Sequence, residues 1–411
     1  MLSVDEARER VLAAVEPLGT REVLLDEAAG RVLATDARAP HALPRFDNSA
    51  MDGFAVRGED TAEASPEAPV GLEIVGEVRA GDPGDIKVLP GTAAWIFTGA
   101  VVPAGADAVV PVEDTEERDG RVLVKAPTPE GKHVRPAGDD VAADEVVVPA
   151  GTELGPGELA ILASLGLSPV SVYERPRVAV LVTGDEMVPP DMTPKPGQIR
   201  DSNSLALVSL VQQAGAEVSI RELVPDDRAA TTDALARAAR GSDLVVSSGG
   251  VAVGKYDHVK DAVEELGRID LWKVAMQPGK PVVLGEVAGT SFLGLPGNPV
   301  SVHIGFEQFV RPAIRRLAGR RHLLRPVLKA RLTAPITKSP GRLHFVRVRL
   351  HQTESGWEAT PTGPQGSHIQ SSLVGCDGVG RFPADASAMN PSDEITVEVW
   401  RLPKGPDGEA S

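Results

Sequence analysis

The sequence predicts a multidomain protein of the α/β plus β class, with a central doubly wound α/β domain between β-rich regions. Its 411 residues exceed the ~250–300 residues at which a single hydrophobic core stops growing. Between Val178 and Leu317, apolar strands alternate with amphipathic helices, a pattern typical of βαβ units in a mostly parallel sheet. Residues 70–125 and those after Arg325 instead contain short β-rich runs separated by turn residues. We therefore expect one β domain before the α/β domain and another after it.

Local signals place the individual elements. Ser3 and Glu6 match a capping box, so a helix is expected from there to about Val15, and a second short helix is expected at 157–167, before a boundary at Tyr173. In the α/β region we predict strands at 178–182, 217–223, 244–246, 271–274, 282–284 and 292–295, and helices at 204–214, 229–239, 257–266 and 299–317. In the β regions we predict strands at 72–78, 94–97, 108–112, 121–125, 327–332, 345–350, 357–360 and 395–400.

The overall charge and the cysteine content exclude several classes of function. The chain has 42 basic and 58 acidic residues, a formal net charge of −16, which argues against nucleic acid or an anionic membrane surface as a partner. An anionic ligand must therefore meet a local group of cations. The single cysteine, Cys376, excludes a disulfide framework and a cysteine-based zinc site, and is expected to be a buried hydrophobe. Since neither an apolar run of ~18 residues nor a targeting segment is recognisable, we expect a cytoplasmic protein.

Carboxylates follow three of the predicted strands. Glu186 comes after the first strand of the α/β region, Asp226 after the second and Asp257 after the third. Ligands of parallel α/β sheets collect outside the carboxyl ends of the strands, so these side chains together would make an oxygen-rich Mg²⁺ site. Taken singly, each is more simply explained as a helix cap or a turn residue than as a metal ligand.

The third strand runs directly into a glycine-rich turn, Ser247, Ser248, Gly249 and Gly250. Backbone N–H groups freed at such a turn favour phosphate or another oxyanion. Residues 249–255 also satisfy most of the P-loop pattern, but Tyr256 stands where that loop requires a small hydroxyl residue. We therefore do not expect a nucleoside-triphosphate P-loop, and a turn that needs glycine only for its backbone angles is the alternative.

Cations come later in the same region. Lys273 and Lys280 flank a Pro-Gly turn, and lysine binds oxyanions as a point charge. Pro296 and Pro299 form a stiff turn before a helix whose N-terminal amides would also attract an anion. A turn without a ligand is again the alternative.

Two polar clusters lie outside the α/β region. Asp47 and Asp52 flank one turn, and Arg135 precedes Asp139 and Asp140 in another segment. Neither spacing identifies a reaction. The sequence also contains no zinc motif, nucleophile elbow or dinucleotide fingerprint, which argues against the common hydrolase and dehydrogenase classes.

Ordered blocks along nearly the whole chain resemble the molybdopterin molybdenumtransferase family, the bacterial MoeA proteins that are similar to the E domain of gephyrin. The matching blocks are residues 44–56, 97–100, 134–140, 183–186, 199–203, 247–254, 278–281 and 295–299. Order and spacing agree from about residue 5 to about residue 400.

The resemblance implies an elongated homodimer of four-domain subunits. Domain I would combine residues 1–44 and 141–173 as a helical linker unit, and domain II would be the small β domain at 45–140. Domain III would be a MogA-like, molybdopterin-binding α/β domain at 174–322, and domain IV a β domain at 323–411. The family inserts molybdate into adenylylated molybdopterin and releases AMP, with Mg²⁺ or a similar ion, in a cleft between domain III of one subunit and domains I and II of the other.

The resemblance also assigns residues. Family functional positions fall on Asp52, Thr98, Arg135, Asp140, Glu186, Asp226, Asp257, Lys273, Pro296 and Pro299. We expect Glu186, Asp226 and Asp257 to hold the metal, and Asp52 and Asp140 to orient pterin or water from the partner subunit. We expect Lys273, Lys280 and the Ser247–Gly250 turn to hold oxyanions. Gln277 stands where many relatives have a lysine, which leaves Lys273 and Lys280 to supply the positive charge.

Other functions stay open from the sequence. The α/β unit could adenylylate molybdopterin, or the chain could be a non-catalytic paralogue that binds or scaffolds cofactor intermediates. The resemblance further implies other cofactor-biosynthesis proteins and molybdoenzyme chaperones as partners. The choice between molybdate and tungstate is not determined.

Overall fold

The structure is a computed structural model that describes residues 1–251, 258–271 and 273–402. The predicted metal ligand Asp257 and the P-loop position Tyr256 lie outside the described residues. Within those ranges, no helix combines the length and the apolar character needed to cross a membrane.

A six-stranded mixed sheet forms the centre of the molecule. Its strands, in spatial order, are Glu217–Val224, Arg177–Thr183, Leu244–Ser248, Thr290–Leu295, Val283–Val287 and Gly267–Leu271. The first four are parallel, and Val283–Val287 runs opposite to both of its neighbours. A two-residue turn explains the reversal, because Ala288 and Gly289 both have positive φ angles, as a tight hairpin requires.

Helices cover both faces of this sheet and confirm the doubly wound fold. One face carries the helices Asn203–Ala214, Pro299–Gly305 and Arg311–Leu317, and the other face carries Arg228–Gly241 and His258–Leu266. Along the strand Arg177–Thr183, Val178 and Val180 belong to the first core and Ala179 and Leu181 to the second. The strand is thus buried on both sides, which is why its sequence is a continuous apolar run.

One predicted strand of this sheet is misplaced. The edge strand lies at Gly267–Leu271, ahead of the predicted 271–274. This edge strand contains glycine and charged residues, namely Gly267, Arg268 and Asp270. Such residues are uncommon in buried strands, so the segment lacks the β-rich pattern of its neighbours.

The first helix packs on the α/β domain. Val4–Ala13 begins with the predicted capping box, in which Ser3 Oγ accepts from the Glu6 N–H at 3.2 Å and Glu6 Oε2 accepts from the Ser3 N–H at 2.8 Å. Val4 and Val11 are buried in the same core as the central sheet. The helix therefore contacts the unit that follows it by more than 150 residues in the sequence.

Two distant stretches pair to form a small linker unit. Thr20–Val23 pairs with Val170–Tyr173, and Ala37–Arg38 pairs with Val146–Val148. The helix Pro156–Ser164 adds Leu162 to their common core. The domain boundaries proposed from the sequence stay predictions.

The amino-terminal β region is an open six-stranded sheet. Its strands, in spatial order, are Ala108–Pro111, Gly53–Val56, Thr92–Ile96, Val70–Val78, Arg121–Val124 and Thr115–Arg118. Four of these strands were predicted. Gly53–Val56 and Thr115–Arg118 were not, since the first follows a turn-rich segment and the second is mostly charged.

The carboxyl-terminal region is a closed five-stranded barrel. The ring runs through Leu343–Thr353, Gly356–Pro361, Val327–Leu332, Glu394–Val399 and Gly378–Phe382, and back to the first strand. The prediction missed Gly378–Phe382 because Gly378 and Gly380 are poor strand formers. The pairing with the last strand requires glycine at 378, since a Cβ there would lie 2.2 Å from the Glu398 carbonyl oxygen. Outside the ring, Met276–Gln277 pairs with the first strand and joins the barrel to the α/β domain.

Candidate active-site cleft

Two adjoining cavities open at the carboxyl ends of the parallel strands. The first, about 560 Å³, is lined by α/β residues that include Glu186, Asp226 and Arg200. The second, about 470 Å³, is lined by the Pro-Gly turn at 278–279 and by residues of the barrel. Both cavities share Gly250, Gly297 and Asn298. They therefore form one cleft, and we refer to them as the acidic cavity and the basic cavity.

The wall between the cavities is built from the predicted glycine turn. Gly249 and Gly250 have φ angles of 90° and 66°, a left-handed conformation that side chains disfavour. A Cβ on Gly249 would lie 2.8 Å from the Thr183 carbonyl oxygen. Glycine is required here both by backbone angle and by close approach.

The two serines before this turn are structural. Ser247 and Ser248 are buried, and neither lines a cavity of the cleft. Ser248 Oγ accepts from Asn203 Nδ2 at 3.0 Å, and the same nitrogen donates to the Gly297 carbonyl at 2.7 Å. Asn203 therefore links the two loops that divide the cleft. Of the Ser247–Gly250 turn, only Gly249 and Gly250 line the cleft.

Two carboxylates meet in the acidic cavity. The Glu186 carboxylate folds over Gly184, where a Cβ would lie 2.6 Å from its Oε2. Asp226 accepts from the Asp185 N–H at 3.3 Å, and Asp185 accepts from the Asp226 N–H at 3.0 Å, so each carboxylate caps the other turn. Within the described ranges no three His, Cys, Asp or Glu side chains cluster as a metal site. Mg²⁺ needs only one or two protein carboxylates when a substrate phosphate supplies oxygens, so Glu186 and Asp226 fit such an ion.

The basic cavity brings together two cations from different domains. Lys280 follows the Pro-Gly turn, and Arg342 comes from the barrel. Within the described part of the chain, neither has a carboxylate at ion-pair distance. Ser301 and Ser367 add hydroxyl groups to the lining, and Asn298 Nδ2 donates to Ser367 Oγ at 3.1 Å. This combination suits a tetrahedral oxyanion.

A buried guanidinium supports the barrel side of this cavity. Arg347 has no exposed surface and donates to the carbonyls of Pro364 and Gly366 at 3.3 and 3.1 Å and to Ser372 Oγ at 3.1 Å. Burial lowers the pKa of Arg347 to about 10, so it stays charged at neutral pH. It therefore holds the loop that presents Ser367 and adds positive potential behind it.

The predicted residues around these cavities are distributed unevenly. Pro299 lines the acidic cavity, and Pro296 and Gln277 line the basic cavity. Lys273 does not line the cleft; it borders a separate cavity of about 470 Å³ together with Arg10 and Asp270. The structure thus places Lys280, and not Lys273, in the basic cavity.

The remaining predicted residues belong to the amino-terminal part of the chain and line neither cavity of the cleft. The Thr98 N–H donates to Asp52 Oδ1 at 2.7 Å, and this hydrogen bond lowers the pKa of Asp52. Arg135 lies on a short strand paired with Asn48–Ser49, and the Asp140 N–H donates to the Leu43 carbonyl at 3.0 Å. None of these four residues therefore belongs to the cleft of the same chain.

Sequence reasoning missed several residues of the cleft. Arg200 and Asn203 stand within a block that carried the family resemblance, and that block could have nominated them. Arg342 and Ser367 had no comparable signal, because only the docking of the barrel brings them to Lys280.

Comparison with known proteins agrees with this architecture. Family models match residues 2–166 as the MoeA N-terminal region (domain I and II), residues 179–316 as a probable molybdopterin binding domain, and residues 329–400 as the MoeA C-terminal region (domain IV). The barrel and the α/β domain of the cleft thus fall in separately matched regions.

Full-length relatives share the same organisation. Molybdopterin molybdenumtransferase 2 of Mycobacterium tuberculosis is 40% identical over 409 residues, covering 98% of this chain and all of that protein. The Haemophilus influenzae molybdopterin molybdenumtransferase is 36% identical over 402 residues, covering 97% and 98%. The crystal structure of a molybdopterin biosynthesis MoeA protein from Pyrococcus horikoshii superposes with a TM-score of 0.84 at 34% identity, covering 98% and 100%. The chain therefore belongs to the molybdopterin molybdenumtransferase (MoeA) family of molybdenum cofactor biosynthesis.

Proposed function

We propose that this protein inserts molybdate into adenylylated molybdopterin and releases AMP in a Mg²⁺-dependent step. The observation that carries the proposal is the cleft itself, where an acidic and a basic cavity meet at Gly250, Gly297 and Asn298. A substrate with a phosphoanhydride and a second, inorganic oxyanion needs two such neighbouring environments.

The basic cavity suits molybdate. Molybdate is a tetrahedral dianion, and Lys280 and Arg342 offer two positive charges while Ser301 and Ser367 offer hydroxyl donors. Since no carboxylate of the described residues lies at ion-pair distance from either cation, both charges are available to an anion. Gln277, on the same wall, is a neutral donor and acceptor.

The acidic cavity suits the nucleotide end of the substrate. The amide of Gly250 and the guanidinium of Arg200 can meet phosphate oxygens, whereas the Gly249 N–H already donates to the Leu295 carbonyl at 3.1 Å. Glu186 and Asp226, with Asp257 outside the described residues, would hold Mg²⁺. When bound, this ion neutralises charge on the phosphoanhydride and on the departing AMP. The chain's own part is to orient the two phosphates and to keep the oxyanion beside them.

We further propose that the working unit is a cytoplasmic homodimer. Asp52, Thr98, Arg135 and Asp140 line neither cavity of their own chain's cleft, which supports their supply to the cleft of a second subunit. There, Asp52 and Asp140 would orient pterin or water. The hydrogen bond from Thr98 lowers the pKa of Asp52, which favours its acceptor form.

Incubation of the full chain with adenylylated molybdopterin, molybdate and Mg²⁺ tests the proposal. We expect AMP release that depends on molybdate and matches the molybdenum incorporated. Lys280→Gln and Glu186→Gln should each lower the rate by about 100-fold, as loss of one charged group in an active site commonly does. Lys329→Gln, an exposed barrel lysine paired with Glu394, is the matched control.

Other outcomes identify the alternatives. ATP consumption with unmodified molybdopterin would indicate an adenylyltransferase. Tight pterin binding without either reaction would indicate a scaffold and would refute the proposed activity.

A further inference from the structure

One helical segment connects the cleft to the barrel. It begins beside the cleft, with Asn298 before its first residue and Ser301 in its first turn. Its middle, Phe306–Val310, is a π-helical turn in which all five residues are buried. Such turns are rare and interrupt α-helices mostly at functional positions. Gln308, within this turn, lies seven residues beyond Ser301, or about 10 Å along the helix.

Gln308 in this turn bridges three parts of the fold. It is 1% exposed. Its carbonyl accepts from Arg8 Nε at 3.3 Å, and its Oε1 accepts from Arg8 Nη2 at 2.5 Å. Its Nε2 donates to Glu398 Oε2 at 2.6 Å. Gln308 therefore ties the first helix, the central helix and the last barrel strand together.

The neighbouring residue, Glu307, binds the segment that leads into the barrel. The buried Glu307 carboxylate accepts from Arg325 Nε and Nη2, both at 2.8 Å. Arg325 precedes the first barrel strand and also donates to the Trp400 carbonyl at 3.2 Å. Glu307 and Gln308 thus fix the points where the chain enters and leaves the barrel.

Such a buried network is a costly way to gain stability. Burial raises the pKa of Glu398, which shows that its charge is partly desolvated. Replacing a buried polar pair by apolar groups of similar volume is often neutral or stabilising, whereas the polar version fixes one geometry. The contacts are therefore better suited to orienting the barrel than to stabilising it.

We propose that Gln308 and Glu398 are positioning residues that hold the barrel in the orientation in which Arg342 and Ser367 face Lys280 and Ser301 across the basic cavity. This inference rests on the proposed function, because the barrel orientation matters only if the basic cavity binds molybdate. A barrel free to rock would leave the oxyanion with the two α/β groups alone.

The test compares two double variants of the full chain. Gln308→Met with Glu398→Met removes the bridge and, with it, the side-chain acceptors of Arg8 Nη2 and Arg381 Nε. Gln308→Glu with Glu398→Gln exchanges donor and acceptor and keeps the bridge. Molybdate affinity is measured by titration calorimetry with molybdate alone, and unfolding by urea. Barrel docking is measured by disulfide formation between Asn298→Cys and Ser367→Cys, introduced into each background.

We expect the methionine pair to stay folded without urea, with a lower urea midpoint because the buried Arg8 loses its Gln308 side-chain acceptor. It should cross-link more slowly and bind molybdate about tenfold more weakly, equivalent to about 1.4 kcal/mol. The exchanged pair should restore both values. Unchanged cross-linking and affinity in the methionine pair would overturn the positioning role. If the wild type fails to bind molybdate while cross-linking still slows, the proposed function fails and the positioning of the barrel stands.

Discussion

Substitution of Gly249 by alanine tests whether the dividing turn of the cleft is as constrained as its geometry indicates. The new Cβ would lie 2.8 Å from both the carbonyl oxygen and Oγ1 of Thr183. The φ angle of 90° adds a left-handed penalty of about 1–2 kcal/mol for a residue with a side chain. Relief of the clash by a backbone shift costs about 1–3 kcal/mol more. We therefore expect the free energy of unfolding to fall by about 2–5 kcal/mol.

The assay is urea unfolding followed by intrinsic fluorescence, combined with molybdate titration. Gly297→Ala is the matched control, because its Cβ would meet only the Gly249 Cα at 3.9 Å, an ordinary contact. The control should change stability by less than about 0.5 kcal/mol. Gly249→Ala should also weaken ligand binding, since both cavities use this turn as a wall. A loss below about 1 kcal/mol with normal ligand binding would refute the reasoning.

Three further predictions follow from buried or charged groups near the basic cavity. Arg347→Lys should lower the free energy of unfolding by about 2–3 kcal/mol, because an ammonium cannot reproduce the hydrogen bonds of the guanidinium fork. The control is Arg349→Lys at an exposed position of the same strand, which should leave the free energy of unfolding unchanged. Equal losses for the two variants in urea unfolding would contradict the prediction. Gln277→Lys should tighten molybdate binding about fivefold at low salt, and unchanged calorimetric affinity would show that the side chain does not face the anion. Burial, reinforced by nearby Arg347, Lys338 and Arg342, lowers the pKa of His344 from 6.5 to about 4. Between these two pH values His344 is protonated in the unfolded chain and neutral in the folded chain. Stability should then fall by about 3 kcal/mol as the pH drops through this range, and His344→Phe should lack this part of the loss; parallel pH profiles of the two proteins would contradict it.

The sequence was most informative where a single local property, such as apolarity or the backbone freedom of glycine, determines the structure. The apolar runs at 178–182 and 244–246 predicted buried parallel strands, and the glycines at 249–250 predicted a turn that the structure places at their ends. Cys376 was expected to be a buried hydrophobe and is buried, with its pKa raised to about 11 by burial. In each case local pattern and tertiary environment agree.

The sequence was least informative where function depends on docking between domains. Arg342 and Ser367 follow ordinary turn residues, and nothing in their neighbours shows that they face Lys280. Lys273 and Lys280 flank the same Pro-Gly turn, and the Val274 N–H donates to the Lys280 carbonyl at 2.9 Å, yet Lys273 borders a different cavity. Gly378–Phe382 was missed because barrel closure, a long-range constraint, overrides its poor strand propensity.

Anomalous X-ray scattering at the molybdenum edge, from crystals of the full chain soaked in molybdate, tests the central claim most directly. We predict one strong peak in the basic cavity, within hydrogen-bonding reach of Lys280 and Arg342, and its loss in Lys280→Gln crystals. A molybdenum peak beside Lys273, or one unaffected by Lys280→Gln, would contradict the assignment of this cleft to molybdate.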